Sequence, residues 1–141
     1  LLELTESAMM ENLGVVAERL QALKTLGVRL ALDDFGTGHS SLAYLRELPF
    51  DLLKIDRSFI ADVGTVPPSR ELARAIIELG NVLQIGLMAE GIERVEQVAR
   101  LKALHCPMGQ GFYFARPMDR DAVEALLEEI AGGRRIEVDA A

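Results

Sequence analysis

Short apolar runs alternate along the chain with longer segments in which apolar residues recur every three or four positions. The short runs predict buried strands, whereas the periodic segments predict amphipathic helices. The predicted strands are 1–6, 28–32, 52–56, 86–90 and 110–114. The predicted helices are 15–26, 40–45, 69–83, 93–104 and 120–131. Because strands that are apolar on both faces and separated by helices form parallel sheets, we predict an α/β protein.

Two capping residues predict where helices begin, and a pair of glycines predicts where the domain ends. Ser69 is predicted to cap the third helix after a loop at 66–69, and Asp119 is predicted to cap the last helix. We expect residues 1–131 to belong to one domain. Residues 132–141 begin with two glycines and are expected to form a flexible tail.

A polar side chain closes each predicted strand. In chain order these residues are Glu3, Asp33, Lys54, Glu90 and Gln110, at intervals that suit βα units. Because parallel strands place their C-terminal ends on one side, the five groups are expected to converge there. In a (β/α)8 barrel of TIM type, that side carries the catalytic residues. A complete barrel needs about 250 residues, so we expect this chain to supply about five βα units of a partial barrel.

Asp33 and Asp34 are adjacent carboxylates that precede a Gly-Thr-Gly turn. Two carboxylates in a concave site repel each other unless a cation lies between them. With Glu3 and Glu90 on neighbouring strands, they would form a cluster of hard oxygen ligands for Mg²⁺, Mn²⁺ or Ca²⁺. The alternative interpretation of the aspartate pair is an Asx turn followed by a helix cap.

Lys54 stands between two apolar residues and is therefore predicted to be buried. A buried lysine needs an anionic partner to keep its proton. In an acidic site it could orient a water molecule or neutralise charge that develops on a phosphate. A structural ion pair with Asp33 or Asp56 is the alternative. Gln110, between two glycines, could hydrogen-bond a water or a phosphate, or the segment could simply form a tight entry to the last strand.

The composition limits the class of partner. The 141 residues carry 15 basic and 22 acidic side chains, a net charge of −7, which argues against DNA or RNA as the main partner. The single cysteine, Cys106, excludes a disulfide framework and a cysteine zinc site. No apolar run approaches the ~18 residues of a membrane span, and no signal peptide is apparent. We expect a cytoplasmic location, free or as part of a membrane-anchored protein.

Five short motifs follow one another in a distinctive order and spacing. They are Glu3-Leu4-Thr5-Glu6, Asp33-Asp34-Phe35-Gly36-Thr37-Gly38, Leu53-Lys54-Ile55-Asp56, Ala89-Glu90-Gly91-Ile92-Glu93 and Gln110-Gly111-Phe112. Together they resemble the EAL domain family of bacterial cyclic di-GMP phosphodiesterases. The resemblance covers nearly the whole chain, to about Met118, and the combination of motifs is highly specific.

The resemblance implies a (β/α)8 barrel with one antiparallel strand, two Mg²⁺ or Mn²⁺ ions, and hydrolysis of cyclic di-GMP to linear pGpG. Ca²⁺ is expected to inhibit. Glu3 and Asp33 look like ligands of the first metal, and Asp33 also looks like the bridge to a second metal held by Asp34 and Glu90. Lys54 looks like the lysine that holds the attacking water, so that Lys54 and Glu90 are the expected catalytic residues.

The resemblance also implies supporting residues and partners. Glu93 and Gln110 match positions around the second metal and the substrate, and Asp56 is expected to support the substrate as well. Glu6 looks like the glutamate that anchors the loop at 35–48, which couples dimerisation to metal binding in the family. We therefore expect a homodimer, with sensor or GGDEF-type regulatory domains in the parent chain.

Two departures from the family pattern are visible. His39 stands where the family commonly has tyrosine. The tripeptide Glu-Ala-Leu occurs only at 124–126, within the last predicted helix, so the family's Glu-Ala-Leu motif, the arginine just after it and the asparagine on the following strand are not found in this sequence. In the family, the glutamate and the asparagine bind the first metal, and the arginine binds a substrate phosphate. We therefore expect the chain to be the C-terminal portion of such a domain, and to be inactive alone.

Two other functions stay open from the sequence. A catalytically inactive module could bind the nucleotide or another protein chain, and metal-dependent turnover by the complete parent would distinguish it from an enzyme. A barrel lyase could use Lys54 as a Schiff base. The four carboxylates expected around this amine would, however, keep it protonated.

Overall fold

Strands and helices alternate through the residues that the structure describes. The computed structural model describes residues 1–5, 13–36, 42–63 and 67–132. Its strands in these ranges are β1 (Leu2–Thr5), β2 (Leu30–Phe35), β3 (Leu52–Ile55), β4 (Gly86–Ala89) and β5 (Met108–Gly109). Its helices there are α1 (Leu13–Thr25), α2 (Leu42–Glu47), α3 (Arg57–Ile60), α4 (Pro67–Leu83), α5 (Val95–Ala103) and α6 (Arg120–Ala131). The predicted α/β class is confirmed.

The described strands form one sheet in the order β1-β2-β3-β4-β5, and each neighbouring pair is parallel. Strand order follows chain order, as in a (β/α)8 barrel, where each helix returns the chain to the next strand. The C-terminal ends of all these strands therefore lie along one rim of the sheet. β1 and β5 are its two edges within the described ranges.

The hydrophobic core surrounds the central strands. All four residues of β3 are buried, and Leu53 and Ile55 have no exposed surface. Leu20 of α1, Ile77 of α4 and Leu101 of α5 belong to the same apolar cluster. The edge strand β1 is mostly exposed. The continuous apolar runs of the central strands thus reflect burial on both faces, which is the pattern of a parallel sheet covered by helices.

The last predicted strand, at 110–114, is wrong, because β5 ends before it begins. The chain turns there instead, and the Phe114 amide donates to the Gly111 carbonyl at 3.0 Å. A Cβ on Gly111 would collide with the Ile92 backbone, so only glycine permits this close approach. The aromatic residues of this segment imitate a strand in the sequence, although their backbone forms a turn.

Helix boundaries were predicted with mixed success. The cap at Ser69 is wrong, because α4 begins at Pro67, whose fixed φ and missing N–H suit the first turn of a helix. The cap at Asp119 is confirmed, since its side chain accepts a hydrogen bond from the Ala122 amide at 2.9 Å. The sequence did not predict α3, because four residues are too few to show a helical period.

Asp51 ties three elements together at the end of the sheet opposite the C-terminal rim. Its carboxylate accepts hydrogen bonds from Lys24 Nζ at 2.5 Å and from the Leu30 amide at 2.8 Å. Its carbonyl accepts from the Gly86 amide at 3.0 Å. The hydrogen bonds from Lys24 and Leu30 outweigh the effect of burial and hold the pKa of Asp51 below its ordinary value of 3.8.

Replacing Asp51 by alanine is expected to lower the free energy of unfolding by about 1–3 kcal/mol, because the buried Leu30 amide loses its partner. Since the folded pKa lies below 3.8, the contribution of the carboxylate is fully present above that pH and is lost as the pH falls through the folded value. Urea unfolding at several pH values tests this, with the exposed Glu47→Ala as the control. The prediction would be contradicted if the free energies of unfolding of wild type and Asp51→Ala differed as much in strong acid as at neutral pH.

Candidate active site

Lys54 is the centre of a carboxylate cluster on the C-terminal rim of the sheet. Its side chain is 6% exposed, and Nζ lies 2.8 Å from Glu3 Oε2, 2.9 Å from Asp33 Oδ1 and 2.9 Å from Glu90 Oε1. Glu3 lies on β1 and Asp33 on β2, while Glu90 directly follows β4. The structure therefore brings four of the predicted site residues together from four neighbouring strands.

The Lys54 amine is held in its charged form. Burial lowers its pKa, but hydrogen bonds to the three carboxylates outweigh burial and raise the pKa well above its ordinary value of 10.5. A protonated amine cannot attack a carbonyl carbon, so this environment argues against the Schiff-base lyase. The amine offers instead a fixed positive charge and N–H donors at the centre of an acidic site.

Asp33 and Asp34 occupy an irregular part of β2. The register with β3 shifts between Leu32 and Phe35, and Asp34 has a φ of 54°. In a regular strand, consecutive side chains point to opposite faces of the sheet, so two adjacent aspartates could not serve one site. The bulge and the left-handed backbone remove this restriction. The Asp34 amide also donates to Asp33 Oδ1 at 3.1 Å.

Asp33, Asp34 and Glu90 form a group that can hold a metal ion. Each offers one carboxylate oxygen, and these oxygens lie within 4.8 Å of one another. Such hard oxygen donors suit Mg²⁺, Mn²⁺ and Ca²⁺, so the donor set fits the metals expected from the resemblance. Glu3 lies outside this group and contacts Lys54.

A cleft of about 310 Å³ opens beside the metal-binding group. Its lining residues are Asp34, Asp56, Arg57, Glu90, Gly91, Glu93, Gln110, Gly111 and Phe112. The three residues expected to support the substrate, Asp56, Glu93 and Gln110, thus line the same cleft as two of the carboxylates of the metal group. Four lining residues are acidic and one is a cation, so the cleft needs further positive charge before it can accept a phosphate.

Backbone hydrogen bonds hold the segments after β4 and β5 side by side. The Glu90 amide donates to the Ile55 carbonyl at 3.1 Å. The Gln110 amide donates to the Ala89 carbonyl at 2.8 Å, and the Gln110 carbonyl accepts from the Ile92 amide at 3.1 Å. Gln110 therefore lies just beyond β5, beside the turn that carries Glu90.

Asp56 begins α3 directly after β3. Its side chain accepts a hydrogen bond from the Ser58 amide at 2.9 Å. Burial raises the pKa of Asp56, but the hydrogen bonds from Ser58 outweigh it and hold the pKa below 3.8. Asp56 is therefore an anion in the cleft at neutral pH.

Two residues of this region were not predicted from the sequence. Gln97 is buried on α5 and contacts both α3 and the turn after β4. Its signal was available, because a glutamine at the third position of a helix is typical of a capping box. Arg57 lines the cleft beside the metal group and a second cleft of about 340 Å³. Nothing in the sequence distinguished this arginine from a surface residue.

Some predicted features lie outside the residues that the structure describes. These are Glu6, His39, part of the loop at 35–48, and the tail from 133 onward. Among the described helices, none is long and apolar enough to cross a membrane.

Fold and site together define a class of protein. A parallel sheet in chain order, with a lysine and carboxylates gathered on its C-terminal rim, is a partial (β/α)8 barrel with an acidic site at its catalytic end. The sequence profile of the EAL domain family matches residues 1–117, and the chain belongs to this family.

Curated relatives agree with this assignment. The chain is 48% identical over 126 residues to the cyclic di-GMP phosphodiesterase NbdA of Pseudomonas aeruginosa, which is 89% of this chain and 16% of that protein. It is 38% identical over 128 residues to the oxygen sensor protein DosP of Escherichia coli, which is 91% of this chain and again 16% of the relative. The chain thus spans about one sixth of the length of these relatives.

Solved structures confirm the predicted partial barrel of TIM type. The PaMucR phosphodiesterase in complex with cyclic di-GMP superposes with a TM-score of 0.81 at 40% identity, over 86% of this chain and 49% of that one. A manganese and cyclic di-GMP complex of Klebsiella pneumoniae BlrP1 gives a TM-score of 0.76 at 30% identity, over 82% of this chain and 29% of that one. The chain therefore covers half or less of each of these structures.

Proposed function

We propose that this chain supplies catalytic and metal-binding residues for the hydrolysis of cyclic di-GMP to linear pGpG, as the C-terminal portion of a complete EAL domain. The observation that carries the proposal is the Lys54 cluster, in which a buried cation contacts three carboxylates beside a group that can hold a metal ion. Its relative NbdA is named as a cyclic di-GMP phosphodiesterase, and two structural neighbours are complexes with this nucleotide.

The proposed metal ligands are the carboxylates of the rim. Glu3 and Asp33 would hold a first ion, and Asp33 would bridge to a second ion bound by Asp34 and Glu90. When bound, such ions would supply a lowered pKa for a water molecule and stabilisation of the leaving oxygen in an in-line displacement at phosphorus. The oxygen donors fit Mg²⁺ or Mn²⁺ as the activating ions, and we propose that Ca²⁺ inhibits.

Lys54 acts on the reacting groups in this proposal, and Glu90 acts through Lys54. Lys54 would hold the attacking water with an N–H that contacts a carboxylate in this structure, and it neutralises charge that develops on the phosphate. Glu90, in contact with Lys54 Nζ, keeps that amine oriented and charged. Water oxygen bonds to phosphorus, the bond from phosphorus to the ribose 3′ oxygen breaks, and that oxygen leaves as a hydroxyl after taking a proton. The product is a linear dinucleotide with a 5′ phosphate.

The remaining predicted residues are proposed to bind the substrate. Asp56 and Glu93 line the cleft as acceptors for N–H groups, which a guanine base presents on its edge. Gln110 offers both a donor and an acceptor in the same cleft. These three groups would hold the nucleotide while the carboxylates of the rim act on one of its phosphates.

The proposal extends to the arrangement of the parent protein. The relative DosP is named an oxygen sensor and is about six times longer than the matched segment. We propose that this chain likewise works in the cytoplasm beside sensor or GGDEF-type domains. Pairing of two copies through the loop and helix after Asp34 is proposed to complete a homodimer.

The direct test is turnover by the complete EAL domain that contains this chain. Cyclic di-GMP is incubated with Mg²⁺ or Mn²⁺, and products are separated by chromatography. Formation of pGpG supports the proposal. Tight nucleotide binding without any product would instead indicate the inactive binding module.

Removal of divalent metal is expected to stop the reaction, because the acidic cleft then repels the phosphates and no ion activates water. Turnover is measured after treatment with EDTA and again after addition of Mn²⁺, Mg²⁺ or Ca²⁺. Recovery is expected with the first two ions and not with Ca²⁺. Full activity in the presence of EDTA would rule out the metal-dependent mechanism.

A further inference from the structure

Gln97 is a buried polar residue whose hydrogen bonds are all satisfied. It is 3% exposed. Its Oε1 accepts from the Glu93 amide and from the Arg94 amide, each at 2.8 Å. Its Nε2 donates to the Ile60 carbonyl at 3.1 Å and to the Ala61 carbonyl at 3.3 Å. The side-chain amide thus uses two acceptor and two donor positions, which is its whole capacity.

These four bonds connect two segments that each contribute residues to the cleft, the turn with Glu93 and the helix that begins with Arg57. Glu93 and Arg94 belong to the turn that follows β4, which also carries Glu90. Ile60 and Ala61 lie at the end of α3, which directly follows the strand that carries Lys54.

A second contact brings the same two segments together on the exposed side. The Arg94 guanidinium donates to the Ala61 carbonyl at 2.5 Å. Gly91 has a φ of 67°, and a Cβ there would collide with the Cβ of Arg57. The turn after β4 is therefore packed closely against the start of α3, and Gln97 fixes this packing from the buried side.

We propose that Gln97 is a positioning residue that sets the separation between the Glu90–Glu93 turn and the strand end that carries Lys54 and Asp56. This inference rests on the proposed function. A carboxamide is required because the turn after β4 presents N–H donors, whereas the end of α3 presents C=O acceptors. Glutamate could accept from the turn but could not donate to α3, and methionine could do neither.

We expect the complete EAL domain to bind the activating metal and the substrate more weakly when Gln97 is replaced. Residues that do not bind a metal themselves but orient its ligands typically contribute 10- to 100-fold to metal affinity or activity. In the complete EAL domain, Gln97→Met is expected to raise the Mn²⁺ concentration for half-maximal activity by roughly 10-fold or more. The KM for cyclic di-GMP is expected to rise with it, whereas saturating Mn²⁺ should restore most of kcat.

The test compares Gln97→Met and Gln97→Glu with the exposed Gln21→Met on α1 as the matched control. For each variant, the affinity for Mn²⁺ is measured by equilibrium dialysis without substrate, where Gln97→Met is expected to bind more weakly, and the two kinetic constants are measured in turnover. Half-saturation concentrations and KM do not depend on how much of the sample is folded, so a purely structural role would lower the rate without moving either constant. If Gln97→Met yields no folded protein, the comparison is made with Gln97→Glu, which keeps the two hydrogen bonds that Oε1 accepts. An active wild type whose variants keep both constants unchanged would overturn this inference alone, whereas an inactive wild type would overturn the proposed function.

Discussion

Asp33→Asn is expected to abolish cyclic di-GMP hydrolysis by the complete EAL domain. The Asp33 carboxylate contacts Lys54 at 2.9 Å and also belongs to the group that can hold a metal ion. Asparagine has nearly the same shape but neither the negative charge nor the capacity to bridge two ions. Since even residues that only orient metal ligands contribute 10- to 100-fold, loss of Asp33 as the proposed bridging ligand should cost at least about 100-fold in kcat/KM.

The control for this experiment is Glu78→Gln, which removes the same charge from the exposed side of α4 and should leave activity unchanged. Rates are measured up to saturating Mn²⁺, so that a loss of affinity can be separated from a loss of turnover. Activity of Asp33→Asn that approaches wild type at saturating Mn²⁺ would remove Asp33 from the bridging position.

Lys54→Met is expected to lower kcat by about 100- to 1,000-fold, the range typical for removal of one donor that stabilises transition-state charge. Methionine fills a similar volume in the buried position but supplies no charge and no N–H donor. The three carboxylates would then face one another without their cation, so the metal-free domain should also unfold more readily. Mn²⁺ is expected to recover this stability but not the turnover.

Lys102→Met, on the exposed surface of α5, is the matched control. Turnover and thermal unfolding are measured for both variants with and without Mn²⁺. Near-normal kcat in Lys54→Met would show that the amine has a structural role and would contradict its proposed contact with the attacking water.

Much of the site followed from the pattern of the chain. Lys54 lies in an apolar run, and the run predicted both a strand and burial of the lysine. Glu3, Asp33 and Glu90 lie near the ends of other apolar runs, and parallel pairing brings such ends to one rim. Sequence periodicity therefore contains enough information to predict which residues meet, because parallel βα units repeat with one orientation.

The local geometry of the site did not follow from the pattern. The bulge in β2 depends on how two strands pair, and no residue in Asp33-Asp34 signals a shift in register. The positive φ of Asp34 is likewise imposed by its neighbours, since aspartate only tolerates this conformation. Adjacent carboxylates in the sequence therefore suggested a metal site without indicating how both side chains could reach it.

The errors near β5 and at Gln97 have a common cause. Gly111 must pack against the Ile92 backbone, and that contact turns the chain where aromatic residues favour a strand. Gln97 bonds to α3 residues about 37 positions earlier in the chain. Contacts between distant segments decide both features and leave no periodic signal in the sequence, although the capping-box position of Gln97 could have been recognised.

The most direct test of the central claim is the number of Mn²⁺ ions bound by the complete EAL domain in the presence of cyclic di-GMP. Equilibrium dialysis at a temperature too low for turnover provides this number. We predict about two ions per domain for the wild type, as a two-metal site requires, and a loss of at least one in Asp33→Asn. A wild-type domain that binds cyclic di-GMP but no Mn²⁺ would contradict the assignment of this acidic cluster as a catalytic metal site.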